Sequence, residues 1–160
     1  MEKYLKAVLY AYPLLETVEQ DYDIHIKNKA VLSYRNDKSA EELAVYIAEE
    51  IIRRERFAWL KKTVAKILDT LSEKERSLLE LRYFGKRRKR TSNTLQGQSE
   101  CVLSESSYFR AQNRLAEKVG AMLVRAGFTK EVYENDFADT EIFQRVNAIL
   151  ARREKRKISI

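Results

Sequence analysis

From Ser39 to Phe84 no glycine or proline interrupts the chain, and the stretch opens on SAEE at 39 to 42, the pattern of a helix capping box. In such a box the serine hydroxyl accepts from the amide three residues on, and the glutamate reaches back to the amide of the serine. Leu43, Ile47, Ile51, Ala58, Val64, Ile67, Leu68 and Leu71 then line one side of a helix to about residue 71. Unbroken, that helix is roughly 50 Å long at about 1.5 Å per residue. So long a helix in a chain of 160 residues kinks, pairs with another chain, or packs along its neighbours as a coiled-coil-like hairpin. Its other face, with Arg53, Arg54, Glu55, Arg56, Lys61 and Lys62, is expected to be solvated.

The rest of the sequence is also read as helical. One proline and four glycines punctuate it, which favours helices over short strands joined by turns. Residues 2 to 34 form helix with a break or kink at Pro13, although Tyr22, Ile24 and Ile26 alternate with polar residues and leave a short strand open. Ser72 and Glu75 make a second capping box, and Leu78, Leu79, Leu81, Tyr83 and Phe84 give a short apolar helix stopped by Gly85. Ser104 is a good N-cap, with Leu103 and Tyr108 placed for a hydrophobic staple; the helix it opens runs to about Arg125 and ends at Gly127. Thr129 and Asp139 are expected to cap two further helices, the last with an apolar stripe of Ile142, Phe143, Val146, Ile149 and Leu150. The expected fold is all-α: a long N-terminal helical hairpin or coiled-coil-like segment (1–70), a compact helix-turn-helix bundle (71–127), and C-terminal helices with a basic tail (128–160).

Charge narrows the class of partner. Residues 1 to 80 carry 14 Lys and Arg against 15 Asp and Glu, whereas residues 81 to 160 carry 17 against 9. A net −1 beside a net +8 points the second half toward a polyanion, nucleic acid before an anionic membrane surface. No run approaches 18 apolar residues and no signal-peptide cleavage pattern follows the N-terminus, so a cytoplasmic protein without a membrane partner is expected. A single cysteine, Cys101, and a single histidine, His25, leave no intramolecular disulfide and too few soft ligands for a structural zinc. Neither a nucleophile with its base, a carboxylate pair, nor a glycine-rich phosphate loop is recognisable by spacing, so no enzymatic activity and no cofactor are expected.

Two features suit nucleic acid. The helix from Ser104 keeps Tyr108, Ala111, Leu115, Val119, Met122 and Ala126 on one stripe, leaving Ser106, Arg110, Asn113, Arg114 and Glu117 on or near the other face. Arginine can make two parallel hydrogen bonds to guanine and asparagine the same to adenine, while serines and amides at a helix start hold phosphate. Upstream stand five successive cations, Lys86, Arg87, Arg88, Lys89 and Arg90. Neutralising about five phosphates gives a log-log salt slope near −4.5, from about −0.9 per phosphate, but no choice of sequence. A solvated amphipathic helix is the plain alternative for the first feature, and a solvated loop or, in a eukaryotic host, a nuclear-localisation-type signal for the second.

The stretch LSEKERSLLELRYFG resembles the opening helix of sigma-factor region four, and SESSYFRAQNRLAEKV resembles the recognition helix that follows it there. The serine-rich start with YFRAQNRL is similar to small sigma-like regulators of phages and mobile elements, the ArpU and RinA type. The similarity covers about residues 64 to 125. It implies double-stranded DNA as partner, with RNA polymerase beside it, and the N-terminal helices as a homodimer or partner contact. By position it implies that Ser106, Ser107, Arg110, Asn113 and Arg114 face DNA, and that Arg76 and Arg82 meet phosphate or polymerase. Between the matched helices TSNTLQGQSECV lacks the apolar pattern of the family's intervening helix, and residues 1 to 60 do not match the promoter-melting region of sigma factors. The resemblance therefore implies a regulator acting beside the host polymerase rather than an autonomous sigma factor. The rival reading is a helical adaptor or packaging protein that binds nucleic acid without sequence choice, or an acidic protein.

Overall fold

A computed structural model describes residues 1–32, 39–85 and 105–158. Every regular element among them is helical: α1 (Lys3–Ala11), a 3₁₀ turn (Tyr12–Leu14), α2 (Leu15–Leu32), α3 (Ala40–Asp69), α4 (Glu73–Tyr83), α5 (Glu105–Arg125), α6 (Lys130–Asp136) and α7 (Glu141–Ile158). The all-α expectation holds, and the strand alternative at 22 to 26 gives way to α2. Pro13 sits in the first turn of the 3₁₀ segment, where its missing amide costs no hydrogen bond.

Local signals set the helix ends. Ser39 Oγ accepts from the Glu42 amide at 3.2 Å. Ser72 and Glu75 form the full capping box, and Gly85 takes a φ of +69° past the end of α4. At the end of α5, Gly127 has a φ of +96°, its amide donates to Val124 and the Phe128 amide donates to Leu123, both at 3.0 Å. Those two bonds are a Schellman closure, and its accompanying apolar contact is supplied by Leu123 and Phe128, both fully buried. Thr129 caps α6 through the Val132 amide at 3.3 Å. Asp139 does not cap α7: its carboxylate accepts from Arg53 at 2.8 Å, and the N-cap place falls on Thr140, whose carbonyl takes the Gln144 amide. The Ser104 cap and the Leu103 staple lie outside the described residues.

The core is one cluster drawing on residues from Tyr4 to Leu150. Helix α1 lies within it, with Leu5, Ala7, Val8, Leu9 and Ala11 buried, against α5 and α7. Around Phe57 of α3 the rings of Tyr22, Phe137 and Phe143 stand with centroids 5.6, 5.4 and 6.3 Å away. Phe128 and Tyr133 extend that aromatic cluster to Tyr4.

Helix α3 differs from its expected stripe. Burial begins at Phe57 and continues through Leu60, Val64, Ile67 and Leu68, whereas Leu43 and Ile47 are half-buried and Ile51 is exposed. The reason is that the first half of α3 meets α2, which runs antiparallel to it, and little else. Arg54 makes two hydrogen bonds to Asp23 at 2.7 and 3.3 Å, Lys61 pairs with Glu19 at 2.5 Å, and Tyr46 meets His25 at 3.2 Å. The face expected to be solvated is therefore partly a brace, with Arg53 and Arg56 reaching Asp139 and Asp136 as well. Beyond the brace the helix pair presents Ile24, Val31, Val45 and Ile52, each more than half exposed. On α7, Phe143, Val146 and Leu150 are buried, but Ile149 turns outward.

Removing the ring at the centre of the aromatic cluster tests this packing. Phe57→Ala is expected to destabilise the protein by about 3 to 5 kcal/mol, read as a fall in the urea midpoint with an unchanged slope; a loss under about 1 kcal/mol would show that Phe57 is not packed as described.

Candidate nucleic-acid interface

Helix α5 is positioned by what it buries. Gln112, Leu115, Ala116, Val119, Gly120 and Leu123 form the inward stripe of α5, at spacings of three and four. This stripe is rotated from the expected one: Leu115 and Val119 hold, Tyr108, Ala111 and Met122 are half-buried, and Ala126 is exposed. Two contacts explain the rotation. At Gly120 a β-carbon would stand 3.1 Å from Leu5 Cδ1 and 3.4 Å from Met1, so the missing side chain lets α1 come close. At Gln112, which is fully buried, Nε2 donates to the Leu78 carbonyl of α4 at 2.7 Å and to the Tyr108 hydroxyl at 3.1 Å. A polar residue on the buried side is invisible to an apolar pattern, and so this tie between α4 and α5 could not be found from periodicity.

A second tie runs along the outside of the same pair. Glu75, already holding the Ser72 amide at 3.0 Å, accepts from Lys118 of α5 at 2.8 Å. The Lys118 ammonium first, and the Ser72 amide second, hold the Glu75 carboxyl below its ordinary value of 4.5. Tyr83 closes the far end of α4 against the core; burial raises its phenol above the ordinary value, and Arg82 offsets part of that. The Arg82 guanidinium lies 5.4 Å from the Tyr83 ring centroid and donates to Asn113 Oδ1 at 3.5 Å.

With its inner stripe fixed, α5 turns Ser106, Arg110, Asn113, Arg114 and Glu117 outward, as expected, while Ser107 is half-buried. Arg76 stands apart, exposed beside Asp69 at 3.5 Å. Sequence pattern did not single out Phe109, which is 53 % exposed at the edge of the same face, one turn before Asn113. Its ring meets Tyr108 edge-on at 5.8 Å, and its signal in the sequence is its place four residues before Asn113, toward the polar rather than the apolar side. From Ser106 to Glu117 the face runs about 17 Å at ~1.5 Å per residue, about five base steps of ~3.4 Å. Residues 81 to 125 hold ten Lys and Arg against three Asp and Glu, a net +7 that equals the net charge of the whole chain. Five of those cations, Lys86, Arg87, Arg88, Lys89 and Arg90, and the segment 91–102 expected to hold the first helix of the reader, lie outside the described residues.

Elsewhere a cavity of about 570 Å³ opens between α2, α3 and α7, with Val18, Tyr22, Phe57, Ile142 and Val146 among its apolar walls and Asp21 and Glu50 among its carboxylates. His25 lies beside it, against Tyr46. Among the described residues no three His, Cys, Asp or Glu side chains come together as a metal site, and no helix is long and apolar enough to cross a membrane.

The Glu75 tie predicts a pH dependence of known sign. A carboxyl whose folded pKa is depressed contributes stability above its unfolded value, and loses it as pH falls through the folded one. Glu75→Gln is therefore expected to lower the urea midpoint at about pH 7 and to differ little from the native chain at about pH 3. A gap that persists undiminished at the acid end would show that the carboxylate charge is not what ties α5 to α4.

Set against known proteins, the chain matches no family model, no curated protein and no solved structure.

Proposed function

We propose that this protein is a sequence-specific DNA-binding transcription regulator of the sigma-region-four-like kind, from a prophage or mobile element, acting by recognition without catalysis. The observation that carries the reading is the exposed face of α5, where Phe109, Arg110, Asn113 and Arg114 project from a helix whose opposite side is held by α1 and α4. Such a helix fits the major groove. Arg110 or Arg114 makes paired hydrogen bonds to guanine, Asn113 pairs with adenine, and the Phe109 ring takes a thymine methyl. Arg82 and the cations at 86 to 90 contact phosphate, supplying affinity and register but no sequence choice. The resemblance of 71–85 and 104–119 to the paired helices of sigma region four supports the same assignment, with RNA polymerase as neighbour on the promoter.

The antiparallel pair of α2 and α3 serves this reading as the contact to a second copy or to the polymerase. Its support is the set of exposed aliphatics on that pair, Ile24, Val31, Val45 and Ile52. The same residues favour the rival reading, an adaptor whose main business is a protein partner. The two part company on sequence preference, which an adaptor lacks.

Titration of purified protein onto duplex DNA tests the assignment. On the duplex bound most tightly, Arg110→Ala is expected to weaken binding by about 1 to 3 kcal/mol and to relax one base position. Equal weakening on every duplex would make Arg110 a phosphate contact and remove the argument for direct readout.

A further inference from the structure

A contact chain leads from the reading face to the end of α7. Arg82, beside Asn113, lies over the Tyr83 ring with its guanidinium carbon 5.4 Å from the centroid. Tyr83 meets Tyr10 of α1 edge-on at 4.9 Å, and Arg153 of α7 lies over the Tyr10 ring at 5.1 Å. Taken end to end, these steps leave the Arg82 and Arg153 guanidinium carbons at most about 15 Å apart, close enough for both to meet the backbone of one duplex. Arg152 and Arg153 are exposed, and Lys155, Arg156 and Lys157 follow them in the sequence.

We propose that the end of α7, through Arg152 and Arg153, is a second phosphate-binding site adjoining the α4–α5 face, so that the DNA footprint extends beyond α5 to α7. The inference rests on the DNA-binding reading above and extends it to a helix that the resemblance to sigma region four does not cover. An aromatic ring under a guanidinium orients it without neutralising its charge, so Tyr10 presents Arg153 ready to receive phosphate. Glu154, the carboxylate between Arg153 and Lys155, is engaged with Lys3 at 2.8 Å, away from that role. Cations at a helix C-terminus also complement its dipole. That effect acts on α7 alone and does not account for Arg153 lying over Tyr10, the ring that meets Tyr83 of α4.

The test is the salt dependence of duplex binding by the full-length chain, comparing the native protein with Arg152→Gln/Arg153→Gln and with Arg153→Lys. Each lost phosphate contact reduces the log-log slope by about 0.9, so the double variant is expected to be shallower by about 1.8 and weaker on all duplexes alike, with its order of preference among them kept. Arg153→Lys, which preserves the charge, is expected to keep the native slope, and thermal unfolding of each variant checks that the α7 end is intact. An unchanged slope and affinity in the double variant would overturn the second site while leaving the α5 reading standing. A changed order of preference would also overturn it, by showing that the α7 end acts on the reading helix rather than on phosphate. If the native chain bound no duplex, but bound an acidic polypeptide through these arginines, both readings would fall.

Discussion

A nine-residue helix is too short to hold its shape in water, yet α1 buries six of its side chains and the other elements are arranged around it. Its apolar surface is what keeps it helical, and it extends over several sides because α5 and α7 both pack on it. The close approach at Gly120 sets how α5 lies, since any side chain there would meet Leu5 or Met1. The same helix supplies Tyr10, which faces Tyr83 of α4 and the guanidinium of Arg153. One buried helix thus fixes the rotation of α5 and the place of α4 and α7 beside it.

Where a feature depended on neighbours in sequence, it was legible. The Ser72 and Glu75 box, the helix stops at Gly85 and Gly127, the Thr129 cap and the turn at Pro13 each close within a few residues, and each follows from side-chain chemistry or a required φ. What failed was set by distant partners. Asp139 has the chemistry of a cap but gives its carboxylate to Arg53, 86 residues earlier. The apolar residues of α3 line one side along its whole length, but only its second half has a core to face, and the sequence does not say where α2 stops being its main cover.

The candidate site was legible by the same division. Arg110, Asn113 and Arg114 lie on the polar side whichever of the two neighbouring stripes is inward, so their exposure survived the rotation of α5. Phe109 and Gln112 did not fit a rule that sorts residues by polarity. One is an aromatic left outside and the other an amide taken inside, where its Nε2 donates to Leu78 and Tyr108 and its Oε1 is buried with no hydrogen-bond partner among the described residues. Both departures fall in one turn of one helix.

The account's central claim is that α5 reads base sequence. Selection of bound fragments from a random duplex pool by the full-length protein at near-physiological salt, followed by sequencing, tests it most directly. The account predicts one enriched motif, a few base pairs long to match the exposed face of α5. Retention of duplexes with no enrichment would contradict it and leave the basic half as a sequence-blind binder of phosphate.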